Sequence, residues 1–151
     1  MEINLRPVGV VENGITLRIA FDAQSVTSRI IVDKQYSQAL DGIEDFSHIV
    51  IVFWLDKIDK KKRSVLKVHP RRDPELPLTG VFATRSPARP NPLGLSNVEL
   101  IKREGNVLTV RGLDAINGTP VLDIKPYLPE KFDKDSVQVA EWVNRNRPQG
   151  A

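Results

Sequence analysis

The chain has no cysteine, one methionine and two histidines among its 151 residues. Disulfides, thiolate metal sites and a cysteine nucleophile are thereby excluded. His48 and His69 are far apart and lack metal-ligand spacing, so no metal is expected. His48 precedes an apolar run, the usual setting of a structural histidine. Long hydrophobic runs are also missing. The longest, Ile49–Leu55, is too short to cross a bilayer, and Met1-Glu2-Ile3-Asn4 opens no signal peptide. The expected setting is therefore the cytoplasm, in soluble form and away from membranes. No G-x-G-x-x-G follows a strand-like segment and no G-x-x-x-x-G-K-S/T is present, so neither a doubly wound nucleotide fold nor a P-loop is supported. Gly94-Leu95-Ser96 does not continue into a nucleophile elbow.

What is present suits one globular domain over residues 1–151. The apolar fraction is 40% and the charged fraction 27%, ordinary values for a soluble protein. The net charge of +3 is mild, but its distribution is uneven. Lys57, Lys60, Lys61, Lys62, Arg63 and Lys67 cluster after an apolar strand, and Arg71, Arg72, Arg85 and Arg89 follow. Such a patch attracts polyanions, with a solvated loop as the plain alternative.

Turn signals divide the chain into many short strands. Glu12-Asn13-Gly14 predicts a hairpin between Val8–Val11 and Ile15–Phe21. Arg29–Val32 reads as a strand, Tyr36–Ile43 as a brief helix, and Ile49–Leu55 as a strand buried on both faces. Residues 57–79 form a long basic connection, and Gly80–Ala83 starts another strand. Leu95–Arg103 and Asn106–Leu113 pair as a hairpin, with Val98, Leu100, Val107 and Thr109 alternating. Val121–Ile124 is the last strand. Asp135–Arg145 is expected to be helical, capped by Asp135 or Ser136, with Pro148 beyond its end. The pattern implies a mainly β protein, a closed or nearly closed antiparallel barrel with one or two short helices.

The segment Gly80–Ser96 carries the most chemistry. Arg85–Pro92 holds three prolines, two arginines and an asparagine. Proline fixes its own φ and restricts the residue before it, so Ser86, Arg89 and Asn91 are biased toward extended geometry. A loop this stiff presents polar groups with little entropy left to lose on binding. Two arginines on it favour an anionic or carboxylate-bearing ligand.

Gly80–Ser96 resembles the central motif of the TsaA-like (YaeB, or TrmO) family. Two further blocks agree, Phe46–Trp54 and Leu113–Tyr127, with a weaker match at Pro7–Val11. The resemblance implies a small single-sheet β-barrel that dimerises. It implies S-adenosylmethionine as cofactor and tRNA as partner. The acceptor would be the exocyclic amine of a threonylcarbamoylated adenosine beside the anticodon. Carried over residue by residue, it assigns donor contacts to Leu55, Asp56, Arg85, Leu95 and the turn Asn117, Gly118, Thr119 and Pro120. That turn also reads as a plain β-hairpin. Arg89, Lys61, Lys62 and Arg63 are assigned to the RNA. Asn91-Pro92 resembles the Asn-Pro start of the acceptor motif in unrelated adenine amino-methyltransferases and makes Asn91 the catalytic candidate; Asp114 and Asp123 are alternatives. Two departures stand out. Asp56 replaces a histidine found in many members, and a loop ending in Pro-Arg-Gln after the first strand is missing. The alternatives are the same barrel acting on another substrate, or a non-enzymatic RNA- or nucleotide-binding barrel.

Overall fold

Ile49, Ile51 and Phe53 alternate with Val50, Val52 and Trp54 along one strand, and this period of two organises the molecule. In the computed structural model, which describes residues 1–16 and 22–145, the first three are buried and the second three half-exposed. The expectation of burial on both faces is corrected accordingly: one face meets the core and the other is the outside of a barrel.

The strands are β1 (Gly9–Glu12), β2 (Thr27–Val32), β3 (His48–Trp54), β4 (Lys67–Val68), β5 (Thr79–Gly80), β6 (Leu93–Glu104), β7 (Val107–Arg111) and β8 (Pro120–Pro126). Six of them close an antiparallel barrel in the order β1-β2-β7-β6-β3-β8, with β8 returning to β1. The short β4–β5 pair stands apart. Val11, Ile30, Val32, Ile49, Ile51, Phe53, Val98, Leu108, Val110 and Val121 fill the interior. Closure removes the unpaired edges that an open sheet of this size would expose.

Several expectations need correction. β1 pairs with β2 and β8 rather than with the segment after Gly14. The Asn-Gly hairpin turn requires positive φ at both central residues, and neither Asn13 nor Gly14 adopts it. Of the expected strand Ile15–Phe21, residues 17–21 lie outside the described residues. On β7 the core side chains are Leu108 and Val110, not Val107 and Thr109. The β6–β7 register shifts between Leu100 and Lys102, where a bulge re-phases the alternation. Gly80 ends β5, and Val81–Ala83 is a 3-10 turn.

The expected helices are shorter than their sequence patterns. Lys34–Leu40 forms a 3-10 turn capped by the Asp33 carboxylate, and Gly42 (φ 87°) reverses the chain beyond it. Asp135–Arg145 is interrupted: a 3-10 turn at Lys134–Ser136, capped by Asp133, is followed by extended backbone and then α1, Glu141–Asn144. Val137, Val139 and Val143 are exposed. Val143 lies in α1, which Arg71 holds through the Val143 and Arg145 carbonyls and the Trp142 ring. Exposed Val137 and Val139 bury no apolar face that would sustain a longer helix.

Candidate functional site

Three segments distant in sequence meet where β3 leaves the barrel. Beyond Trp54, the Leu55 N–H donates to the Pro92 carbonyl at 2.9 Å. The tip of the proline-arginine loop is thereby tied to the strand end. Leu55, Asp56, Lys57 and Ile58 form one wall of a shallow pocket, and Ile116 and Thr119 form the other. The pair Leu55–Asp56 and the Asn117–Pro120 turn, assigned to one ligand in the sequence, thus do lie together. Lys57, Ile58 and Ile116 were missed as pocket residues, because half-buried isoleucines and a lysine in short connections carry no periodic signal.

The opposite wall is held by its own hydrogen bonds. The Thr119 hydroxyl donates to the Ile116 carbonyl at 2.7 Å, and the Gly118 N–H donates to the Val11 carbonyl at 2.8 Å. Gly118 has φ 82°, which a residue with a Cβ would adopt only with strain. The Asn117 N–H donates to the Ile15 carbonyl at 2.7 Å.

Asn13 completes this arrangement and was read in the sequence only as a turn former. Its Nδ2 donates to the Ser28 hydroxyl and to the Ala115 carbonyl, both at 3.0 Å. Its Oδ1 accepts from the Ile15 N–H at 3.0 Å, and its own N–H donates to Asn117 Oδ1 at 3.0 Å. The Asn117 oxygen is therefore engaged in holding the turn.

Charge at the pocket is mixed. Asp56 is exposed and lies 3.7 Å from Lys57 Nζ, a solvent-screened pair worth little. Its carboxylate remains available as an acceptor. Leu55, Ile58 and Ile116 supply apolar surface. An acceptor beside apolar side chains is chemistry that an aromatic ligand with amine or hydroxyl donors uses, although the cleft itself is shallow and far smaller than such a ligand.

The other assigned residues do not line this pocket. Arg85 is exposed. Arg89 donates from Nη1 to the carbonyls of Thr84 (3.3 Å) and Ser86 (3.2 Å), and lies 6.0 Å from the Phe82 ring centre. Among the described residues the Asn91 side chain has no hydrogen-bond partner, although its carbonyl accepts from the Leu93 N–H at 2.7 Å. Leu95 stands opposite Val52, with Asp123 on the other side of Val52, all on the outer face. Between Leu93 and Leu95, Gly94 lies over the Phe53 ring, where a Cβ would come within 2.1 Å of a ring carbon. Asp123 is paired with Lys125 at 2.8 Å, and Asp114 is exposed.

The basic run is ordered. Lys60–Ser64 is a 3-10 turn capped by the Asp59 carboxylate. Lys61 and Lys62 are exposed, whereas the Arg63 guanidinium lies 5.2 Å from the Trp54 ring centre. His69 donates from Nδ1 to the Leu76 carbonyl at 2.8 Å, and His48 Nδ1 bonds the Ser47 hydroxyl at 2.8 Å. Both histidines thus have local structural partners. Among the described residues no group of three potential metal ligands occurs, and no helix is long and apolar enough to cross a membrane.

Comparison with known proteins fits this arrangement. Residues 18–134 match the family described as the tRNA-methyltransferase O N-terminal domain. A probable S-adenosyl-L-methionine-binding protein of Methanothermobacter thermautotrophicus is 49% identical over 131 residues, covering 84% of this chain and 91% of its own. The human tRNA (adenine(37)-N6)-methyltransferase is 45% identical over 105 residues, 70% of this chain but 23% of the human one. The crystal structure of TrmO from Pseudomonas aeruginosa superposes with a TM-score of 0.74 at 28% identity, over 94% of this chain and 62% of that one. The chain thus spans less than two thirds of that TrmO and most of the archaeal protein. Motif order, barrel topology and a match over most of the sequence converge, and the chain belongs to the family of the tRNA-methyltransferase O N-terminal domain.

Proposed function

We propose that the chain is an S-adenosylmethionine-dependent tRNA methyltransferase acting on the exocyclic N6 amine of an adenosine beside the anticodon, with threonylcarbamoyladenosine as the acceptor and a homodimer as the working form. The observation that carries this reading is the tie between Leu55 and Pro92 beside the Ile116–Thr119 turn. It sets the proline-arginine loop next to a pocket of the right chemistry. The names of the archaeal and human relatives support the cofactor and the acceptor class.

The cofactor supplies a methyl group already activated on a sulfonium, so the protein's part is binding, alignment and exclusion of water. Leu55, Ile58 and Ile116 would face the adenine, and Asp56 would accept from an ammonium or hydroxyl. Arg85 would reach the carboxylate as a bidentate donor. On the acceptor side an aromatic amine is a weak nucleophile, because its lone pair is delocalised into the ring. The Asn91 side-chain oxygen, without a hydrogen-bond partner among the described residues, would accept a hydrogen bond from the single N6–H and orient the nitrogen, and that proton would pass to solvent as the N–C bond forms and the thioether product leaves. An anticodon-loop base is already accessible, so extruding it costs little. Exposed Leu93 and Leu95 on β6 offer apolar surface for a second copy.

The sequence runs from Val11 through Glu12-Asn13-Gly14 into Ile15 without a Pro-Arg-Gln, which favours a second reading, the same barrel methylating another acceptor. Titration calorimetry with S-adenosylmethionine, followed by mass spectrometry of nucleosides from tRNA incubated with enzyme and cofactor, tests both. Methylated threonylcarbamoyladenosine is the expected product. Cofactor binding without any tRNA product would transfer support to the second reading, and absence of cofactor binding would overturn both.

A further inference from the structure

Phe82 is 80% exposed, although it sits in the 3-10 turn Val81–Ala83 just before the proline-rich loop. Its neighbour Val81 is buried, and the Val81 N–H donates to the Leu66 carbonyl at 3.0 Å. The backbone is thus fixed while the ring points to solvent. Among the described residues its cation partner is Arg89, whose guanidinium is itself anchored on two loop carbonyls. Leu66 lies three residues beyond Arg63, so the Val81–Leu66 bond sets the Phe82 loop beside the basic run. There the second arginine–aromatic pair, Arg63 over Trp54, leaves Arg63 Nε buried without a partner.

Residues 60–92 hold nine lysines and arginines against two carboxylates. Among the described residues neither Lys60–Arg63 nor Arg85 nor Arg89 pairs with a carboxylate. A cation on one face of an aromatic ring leaves the other face open, and flanking unpaired cations select for phosphate. Together these are the elements of a single-stranded nucleic-acid contact, a π platform beside charges that follow a backbone. A second copy fits this patch less well, since a two-fold contact through it would set like charges opposite each other.

We infer that Phe82 is a stacking platform for an RNA base, held by Arg89, with Lys60–Lys62 contacting the adjoining phosphates. The inference deepens the proposed function and rests on its RNA substrate. A base resting on Phe82 would fix the register of the loop and so choose which adenosine reaches Asn91. Phe82 is thus a positioning residue.

The test uses a tRNA anticodon stem-loop carrying 2-aminopurine, and the variants Phe82→Leu, Phe82→Tyr and Lys60→Gln/Lys61→Gln/Lys62→Gln. Phe82→Leu keeps apolar bulk but removes the π face, and exposure of the ring means that folding is retained. The expected result is a Kd for RNA raised about 5- to 150-fold, the span of about 1–3 kcal/mol per stacked base. Loss of 2-aminopurine quenching should accompany it, with an unchanged salt slope and unchanged cofactor affinity. Phe82→Tyr should restore both, and the lysine variant should flatten the salt slope. Unchanged RNA affinity in Phe82→Leu, with a flattened slope in the lysine variant, would overturn the platform while leaving the RNA reading intact. Failure of the unaltered protein to bind the stem-loop would overturn the RNA reading itself. A Phe82→Leu variant that sediments as a smaller species with normal RNA binding would assign the ring to a subunit interface and overturn the platform.

Discussion

The backbone N–H of Asn13 donates to the side-chain oxygen of Asn117 at 3.0 Å, joining residues 104 positions apart. The same asparagine holds Ser28 and Ala115 through its amide and Ile15 through its oxygen. One side chain thereby ties β1, β2 and the pocket turn into a single unit. That turn is shaped from behind by Asn13.

Asn13→Ala should therefore act on stability and on cofactor binding together. It leaves the buried Ala115 carbonyl and Ser28 hydroxyl without their partner, a loss of about 1–3 kcal/mol. For a domain of this size that lowers Tm by roughly 2–12 °C. Relaxation of the Ile116–Thr119 wall should weaken S-adenosylmethionine binding several-fold. Ser28→Ala, which removes one bond without freeing the turn, should lower Tm while leaving cofactor affinity unchanged. Calorimetry beside thermal melts separates the two, and equal cofactor affinity in both variants would deny Asn13 its role at the turn.

Gly94 should tolerate no side chain. A Cβ there would lie 2.1, 2.4 and 2.7 Å from three carbons of the Phe53 ring, which is buried. Overpacking of this kind typically costs about 1–3 kcal/mol. Gly94→Ala should lower Tm, and Gly94→Ala/Phe53→Leu should be less destabilised than the sum of its single changes, because the smaller side chain removes the clash. Additive losses in the four-member cycle would show that the ring moves aside at no cost.

The barrel was legible because period-two alternation and turn residues are local properties that closure does not override. Ile49–Trp54, Val121 and the β6–β7 hairpin lie where the pattern puts them. The errors came from non-local causes. The β6 bulge re-phased β7, and the Asn13 side chain took up bonds that a hairpin turn would have made with the backbone. In the valine-rich tail Val137, Val139 and Val143 stay exposed, so no buried apolar face supports a long helix. At the site, Leu55, Asp56 and Thr119, which the motif resemblance groups, line one cleft. Ile58 and Ile116 were hidden, since a pocket wall is formed by tertiary approach and not by spacing along the chain. Phe82 was hidden for another reason: the sequence cannot state that a phenylalanine beside a buried valine remains outside the core.

Arg85 is exposed and makes no ion pair among the described residues, so its replacement should leave Tm unchanged. If it grips the cofactor carboxylate, Arg85→Lys should weaken S-adenosylmethionine binding by roughly 1–3 kcal/mol, because a point charge does not replace a bidentate fork. Unchanged cofactor affinity with weakened RNA binding would reassign Arg85 to phosphate. Paired calorimetric titrations, one with cofactor and one with the tRNA stem-loop, read both quantities on the same protein.

Asn91 is the sharpest test of the chemistry. A purely structural asparagine would satisfy loop backbone groups, yet among the described residues its side chain bonds nothing and stands exposed. The backbone around it is fixed independently, by the flanking Pro90 and Pro92 and by the Leu55–Pro92 bond. Asn91→Ala should therefore fold with an unaltered Tm and bind cofactor and RNA within a few-fold of the parent. Its defect should lie in the methyl-transfer step, with a single-turnover rate lower by about 10²-fold or more, the scale of a lost oriented hydrogen bond at a reacting group. Asn91→Asp retains an acceptor oxygen and should recover part of that rate, whereas Asn91→Leu should not. A normal single-turnover rate in Asn91→Ala would remove Asn91 from the chemistry, and a rate that falls only in step with RNA affinity would make it a binding residue.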